Sequence, residues 1–100
     1  MRTYSAHFLS PAQEYLDALP EADRGTIAAD IDVMRSGDLA TPYTKQLKGP
    51  ICELISGHHR LTYFVTDGAI YFVRGFRKKS GKTPRKEIEY AQDIYKRAKR

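Results

Sequence analysis

Seven lysines and arginines fall in the thirteen positions from Arg74 to Lys86, and no acid interrupts them. Such a run can hold a polyanion or simply solvate a surface. The charge is unevenly spread: residues 1–44 carry three basic and seven acidic side chains, residues 45–100 fourteen and five. A one-sided concentration of cations on so small a chain is the electrostatic footprint of a nucleic-acid partner. Proton chemistry has fewer candidates. An imidazole can give and take protons in general acid–base chemistry, and His58 and His59 are adjacent; neighbours on a strand point to opposite faces, so only one can enter a given site. His59 is the better placed as an acid or base. Glu53 can serve as a base, orient Arg60, or form an ordinary cross-strand ion pair. Cys52 is the only cysteine, which excludes an internal disulfide and a cysteine-cluster zinc site. No acidic cluster or spaced histidine set suits a metal, and no cofactor is implied.

The elements that must position these groups form one domain over residues 1–100. With 41% hydrophobic and 29% charged residues, a small packed core is expected. No apolar run approaches the ~20 residues of a membrane span, and Met1–Ser10 lacks a signal-peptide core. A soluble, cytoplasmic protein is expected, with no membrane partner. Thr3–Phe8 alternates weakly, as an edge strand would. Ser10 can cap a helix with Pro11 at its first position and Gln13 completing a capping box. Pro20 interrupts that helix, and a second follows with Ile27, Ile31 and Met34 on one face, ended by Gly37. Short apolar runs Ile51–Ile55, Arg60–Val65 and Ala69–Val73 are separated by Ser56-Gly57 and Asp67-Gly68, so they read as an antiparallel meander. Thr83-Pro84 opens a last helix with Pro84, Ile88, Ala91, Tyr95 and Ala98 in one stripe. The class is α+β, in the order β-α-α-β-β-β-α: an antiparallel sheet packed on an N-terminal helical hairpin, with a C-terminal helix.

Two stretches carry a family likeness: Lys45 to Leu54 (KQLKGPICEL) and Arg74 to Pro84 (RGFRKKSGKTP), with His59-Arg60-Leu61-Thr62-Tyr63-Phe64 between them. They resemble the HigB-like branch of the RelE/ParE toxin superfamily. That branch shows Leu-x-Glu-Leu-Arg, then Tyr-Arg-x-x-Tyr, then His-Gly-Phe-x-Lys-Lys-Thr-x-Lys-Thr-Pro before a helix such as Glu87-Ile88-Glu89-Tyr90-Ala91. The likeness runs from Lys45 to Ala91; the first 44 residues match only in element order. Ile55 stands where the pattern has Arg, His59 where it has Tyr, Arg74 where it has His and Ser80 where it has Thr.

The resemblance implies a RelE-like fold and a type II toxin: a metal-independent endoribonuclease that cleaves mRNA on the ribosome through the RNA's own 2′-hydroxyl. It implies a cognate antitoxin, a helix-turn-helix protein, as partner. Cations would stabilise the extra charge on the transition-state phosphate. Arg60, Arg74, Lys78 and Lys79 are the candidates for that work. Lys45, Lys48, Phe76, Arg77 and Lys82 are candidates for binding RNA, with Phe76 able to stack on a base or to pack in the core. Two rival readings stay open. One is a non-enzymatic inhibitor of DNA gyrase of the ParE type, which needs no phosphate site. The other is a degenerate member that only binds antitoxin or RNA, which Ile55 favours.

Overall fold

In the computed structural model, which describes residues 2–79 and 81–99, eight elements follow one another. They are β1 (Ser5–Phe8), α1 (Ser10–Asp17), α2 (Glu21–Arg35), β2 (Thr44–Lys48), β3 (Ile51–Ser56), β4 (His59–Thr66), β5 (Ala69–Arg77) and α3 (Arg85–Ala98). The strands form one sheet in the order β1-β5-β4-β3-β2. The helices cover both faces. Leu16, Ile27, Ile31 and Met34 of α1 and α2 pack with Leu54, Leu61, Ile70 and Phe72 on one side. Ala91 of α3 packs with Ile51, Phe64 and Val73 on the other.

Local punctuation sets most boundaries. Pro20 separates α1 from α2 and stands at the N-cap of the latter. Gly37 has φ 110°, with its N–H on the Met34 carbonyl and the Asp38 N–H on that of Val33, a Schellman close to α2. Asp67 and Gly68, with φ 51° and 75°, make the primed turn that joins β4 to β5. Along that hairpin Thr62 pairs with Arg74 while Tyr63 pairs with Phe72. Val73 is therefore a bulge. It lets Val73 and Arg74 both turn toward α3, where Val73 is buried and Arg74 meets Glu87.

Four expectations are corrected. The sheet is mixed, because β1 runs parallel to β5 from the pair Ser5–Ala69 to the pair Phe8–Phe72. The order gains a strand, β2, so Lys45 and Lys48 lie within the sheet and do not precede it. Its TKQLK sequence hides it, since a polar edge strand needs no apolar alternation; only Leu47 packs inward. The capping hydroxyls are not used: the N-cap residues are Leu9 and Pro84. In α3 Ala91 and Tyr95 of the expected stripe pack on the sheet with Tyr90 and Ile94, Glu87 is buried beside them, and Pro84 and Ala98 are exposed. Ser80 lies outside the described residues.

Tyr63, 4% exposed between the sheet and the helical hairpin, has its phenol pushed up to about 12 by burial. Folding thus favours the neutral phenol. The stability this confers is complete below the ordinary tyrosine value of about 10 and disappears as pH rises through about 12. Tyr63→Phe should therefore lose less stability than the unaltered chain between pH ~8 and ~11. Urea unfolding at both pH values reads the difference; equal losses would contradict it.

Candidate functional site

Strand register lines up side chains on the α3 side of the sheet. Lys45 pairs with Glu53, Glu53 with Thr62, and Thr62 with Arg74; in the next row Ile55 pairs with Arg60 and Arg60 with Phe76. Paired residues face the same way, so these rows form one surface. Beyond the helix-covered part of that surface a cavity of about 410 Å³ opens, lined by Tyr43, Lys45, Glu53, Ile55, Arg60, Lys78 and Thr83. The sequence-predicted Lys45, Glu53, Arg60 and Lys78 thus meet, with Ile55 supplying an apolar wall where the family pattern has Arg.

Arg60 is only 7% exposed. Its Nη1 donates to the carbonyls of Gly57 (2.8 Å) and His59 (3.0 Å), the turn that begins its own strand. Its Nε faces Glu53 Oε2 at 4.0 Å, an ion pair rather than a hydrogen bond. Glu53, 3% exposed, also accepts a 2.6 Å hydrogen bond from the Thr83 hydroxyl, tying the α3 entry to the sheet. Among the described residues Nη2 has no protein acceptor, which leaves that edge of the fork for a ligand. The site therefore offers an oriented guanidinium flanked by two flexible ammonium groups.

The other candidates are distributed around this pocket. Lys79 and His58 line a shallow groove that shares Arg60 and Lys78 with it. Lys78 is fixed by its backbone N–H, which donates to the His58 carbonyl at 2.8 Å. Phe76 and Lys82 line a separate groove toward α3. Lys48 is exposed at the end of β2. Arg74 does not line the pocket. Its Nε meets Glu87 Oε1 at 3.3 Å and its guanidinium lies 5.1 Å from the Tyr90 ring centre.

His59 and Arg77 face the opposite side. The His59 ring is buried against α1 and α2, with Tyr15 Oη at 2.6 Å from Nδ1 and Asp23 Oδ2 at 3.0 Å from Nε2. The geometry fits an Nε2–H that donates to Asp23 and an Nδ1 that accepts the Tyr15 hydroxyl. Arg77, the register partner of His59, lines the adjoining cavity with Asp23. His59, next to Arg60 in sequence, is thus across the sheet from it in space.

Two pocket residues escape sequence reasoning. Thr83 reads as a helix cap, whereas its hydroxyl serves Glu53. Tyr43 is 71% exposed at the pocket, and its carbonyl accepts from the Ile55 N–H at 2.8 Å. A lone exposed aromatic at the entry to an unrecognised strand leaves no sequence signal.

A family profile described as phage-derived protein Gp49-like matches residues 14–96. No curated protein matches. Among solved structures, the RelE-RelB complex of Pyrococcus horikoshii superposes with TM-score 0.69 at 17% identity, over 79% of this chain and 99% of that one. The isolated Escherichia coli RelE toxin gives 0.63 at 16% identity, over 91% and 98%. RelE of the intact E. coli RelBE toxin-antitoxin complex gives 0.59 at 20%, over 78% and 99%. These likenesses establish a RelE-like α+β fold.

The buried pair makes a stability prediction. Glu53→Ala strands the Arg60 charge and should cost about 3–5 kcal/mol. Arg35→Ala removes only an exposed pair with Asp32 and should cost about 0–1 kcal/mol. Urea unfolding of both variants reads the contrast; a Glu53→Ala protein as stable as Arg35→Ala would contradict the role given to the pair.

Proposed function

The chain belongs to the phage-derived Gp49-like family, and with the pocket's geometry as second premise we propose that it is the toxin of a type II toxin–antitoxin pair. In this reading it is a metal-independent endoribonuclease of the HigB-like branch that cleaves mRNA on the ribosome, in the cytoplasm. No helix among the described residues is long and apolar enough to cross a membrane. The observation that carries the reading is the convergence of Lys45, Arg60 and Lys78 on one cavity beside a buried, oriented carboxylate. A cognate antitoxin as partner is supported by the RelE-RelB and RelBE complexes among the solved structures; that it is a helix-turn-helix protein is part of the proposal alone.

The chemistry follows from the charges. When a ribose 2′-hydroxyl attacks the adjacent phosphorus, negative charge builds on the non-bridging oxygens and on the departing 5′-oxygen. Arg60, held by two carbonyls and Glu53, presents its free edge to that charge without reorganising. Lys45 and Lys78 add mobile positive charge at the rim, and Lys79 tracks the backbone beyond it. Glu53 is committed to Arg60 and Thr83, so its part is to position the guanidinium. Arg74 contributes through α3, as a charge held against Glu87 and Tyr90.

The test must avoid stranding a buried charge. In Arg60→Gln/Glu53→Gln both charges leave together, so the fold should survive while cleavage falls by about 100-fold or more. Lys78→Ala and Lys79→Ala should weaken RNA binding, with effects that shrink as salt rises. Ile55→Arg should raise activity, and EDTA should leave cleavage by the purified chain intact. Expression without antitoxin should stop translation while plasmid supercoiling stays normal. Full cleavage by the folded double variant, or relaxed plasmid with intact mRNA, would overturn the reading.

A further inference from the structure

Next to the Arg60 pocket, on the same sheet face, lies a second groove of about 290 Å³ lined by Phe76, Arg77, Lys79, Lys82, Lys86 and Glu87. Phe76 is the register partner of Arg60 on the adjacent strand, so the two sites lie side by side. The groove combines an aromatic ring, three ammonium groups, Arg77 and one carboxylate. That carboxylate is unusual: the Glu87 side chain is 6% exposed, and its Oε1 has no aligned hydrogen-bond partner among the described residues. Arg74 Nε approaches it at 3.3 Å, but off the direction of its N–H. A buried acceptor with unspent capacity at the wall of a cationic groove calls for a ligand that is anionic overall yet donates hydrogen bonds.

We infer that this groove is a base subsite that takes a guanine nucleotide, neighbouring the phosphate placed in the Arg60 pocket; it deepens the ribonuclease reading and rests on it for that placement. The base would stack on Phe76, with its phosphate among Lys79, Lys82 and Lys86. The choice of base comes from Glu87, which when ionised only accepts. Guanine presents two adjacent donors on its pairing edge, N1–H and N2–H, which match the two oxygens of a carboxylate. Adenine and cytosine set an amino group beside a bare ring nitrogen, whose lone pair would face the carboxylate. Uracil flanks its single N3–H with two carbonyl oxygens that would do the same. Selectivity thus arises as much from repulsion of the wrong bases as from attraction of the right one.

Titration of the full chain with 5′-GMP, IMP, AMP, CMP and UMP, followed by amide NMR shifts, tests this. GMP should bind about tenfold tighter than AMP, CMP or UMP, shifting Phe76, Lys82 and Glu87; IMP, which lacks the 2-amino group, should fall between. Glu87→Gln should level the series, and Phe76→Leu should weaken all five. Equal affinities on the unaltered protein, shifts that avoid the groove, or a guanine preference that persists in folded Glu87→Gln would each overturn the subsite. A mononucleotide offers no internucleotide bond to cut. The readout therefore stands whether or not the chain is a ribonuclease, and cleavage without guanine selectivity would sink the subsite alone.

Discussion

A guanidinium that is 7% exposed must have its charge and its donors met, and the parts surrounding the pocket answer that need for Arg60. The Gly57 carbonyl comes from the β3–β4 turn, where Gly57 itself takes φ 58°. The opposing charge comes from Glu53 on β3, which Thr83 holds from the loop before α3. Gly57 and Glu53 belong to the same hairpin as Arg60, and Thr83 ties a segment thirty residues beyond Glu53 to that point. Such a pair adds little net stability, since desolvation of both ions offsets their attraction. What it fixes is orientation: the unfilled edge of the fork has a set direction before any phosphate arrives.

The reverse side of β4 does complementary work. His59 precedes Arg60 and points into the opposite layer, where Tyr15 of α1 and Asp23 of α2 hold its two ring nitrogens. Tyr15 reaches it by packing across Gly75 of β5, where any Cβ would collide with the tyrosine ring. The helical hairpin is therefore clamped to the strand end that carries Arg60. A bulge at Val73 sets the phase of β5, placing Arg74 and Phe76 on the pocket's face and Arg77 behind it. The faces on which Arg74 and Arg77 appear follow from that one inserted residue.

This explains which parts of the account were legible from sequence. Pro20, Gly37 and the Asp67-Gly68 pair each act through local backbone geometry, and the elements they bound fall close to where those residues place them. Of the candidate residues, Lys45, Glu53, Arg60 and Lys78 converge on one pocket, whereas Arg74, Lys79, Lys48, Phe76, Arg77, Lys82 and His59 lie outside it. The parallel pairing of β1 was not legible, because it is a contact between ends of the chain with no local signature. Strand β2 was masked by its polar edge composition. The partition of Arg74, Phe76 and Arg77 between faces depends on a bulge that alternation cannot reveal. Glu87 is not among the candidate residues, yet it is buried where α3 sets it against Arg74.

The central claim is that the Arg60 pocket stabilises attack by the RNA's own 2′-hydroxyl. The most direct measurement uses an mRNA carrying a single 2′-deoxy nucleotide immediately 5′ of the scissile phosphate, with the products of the all-ribose control analysed by mass spectrometry. The deoxy substitution should abolish cleavage at that bond without loss of binding. The upstream control fragment should carry a 2′,3′-cyclic phosphate. Undiminished cutting at the deoxy site, or an upstream fragment ending in a free 3′-hydroxyl, would contradict it.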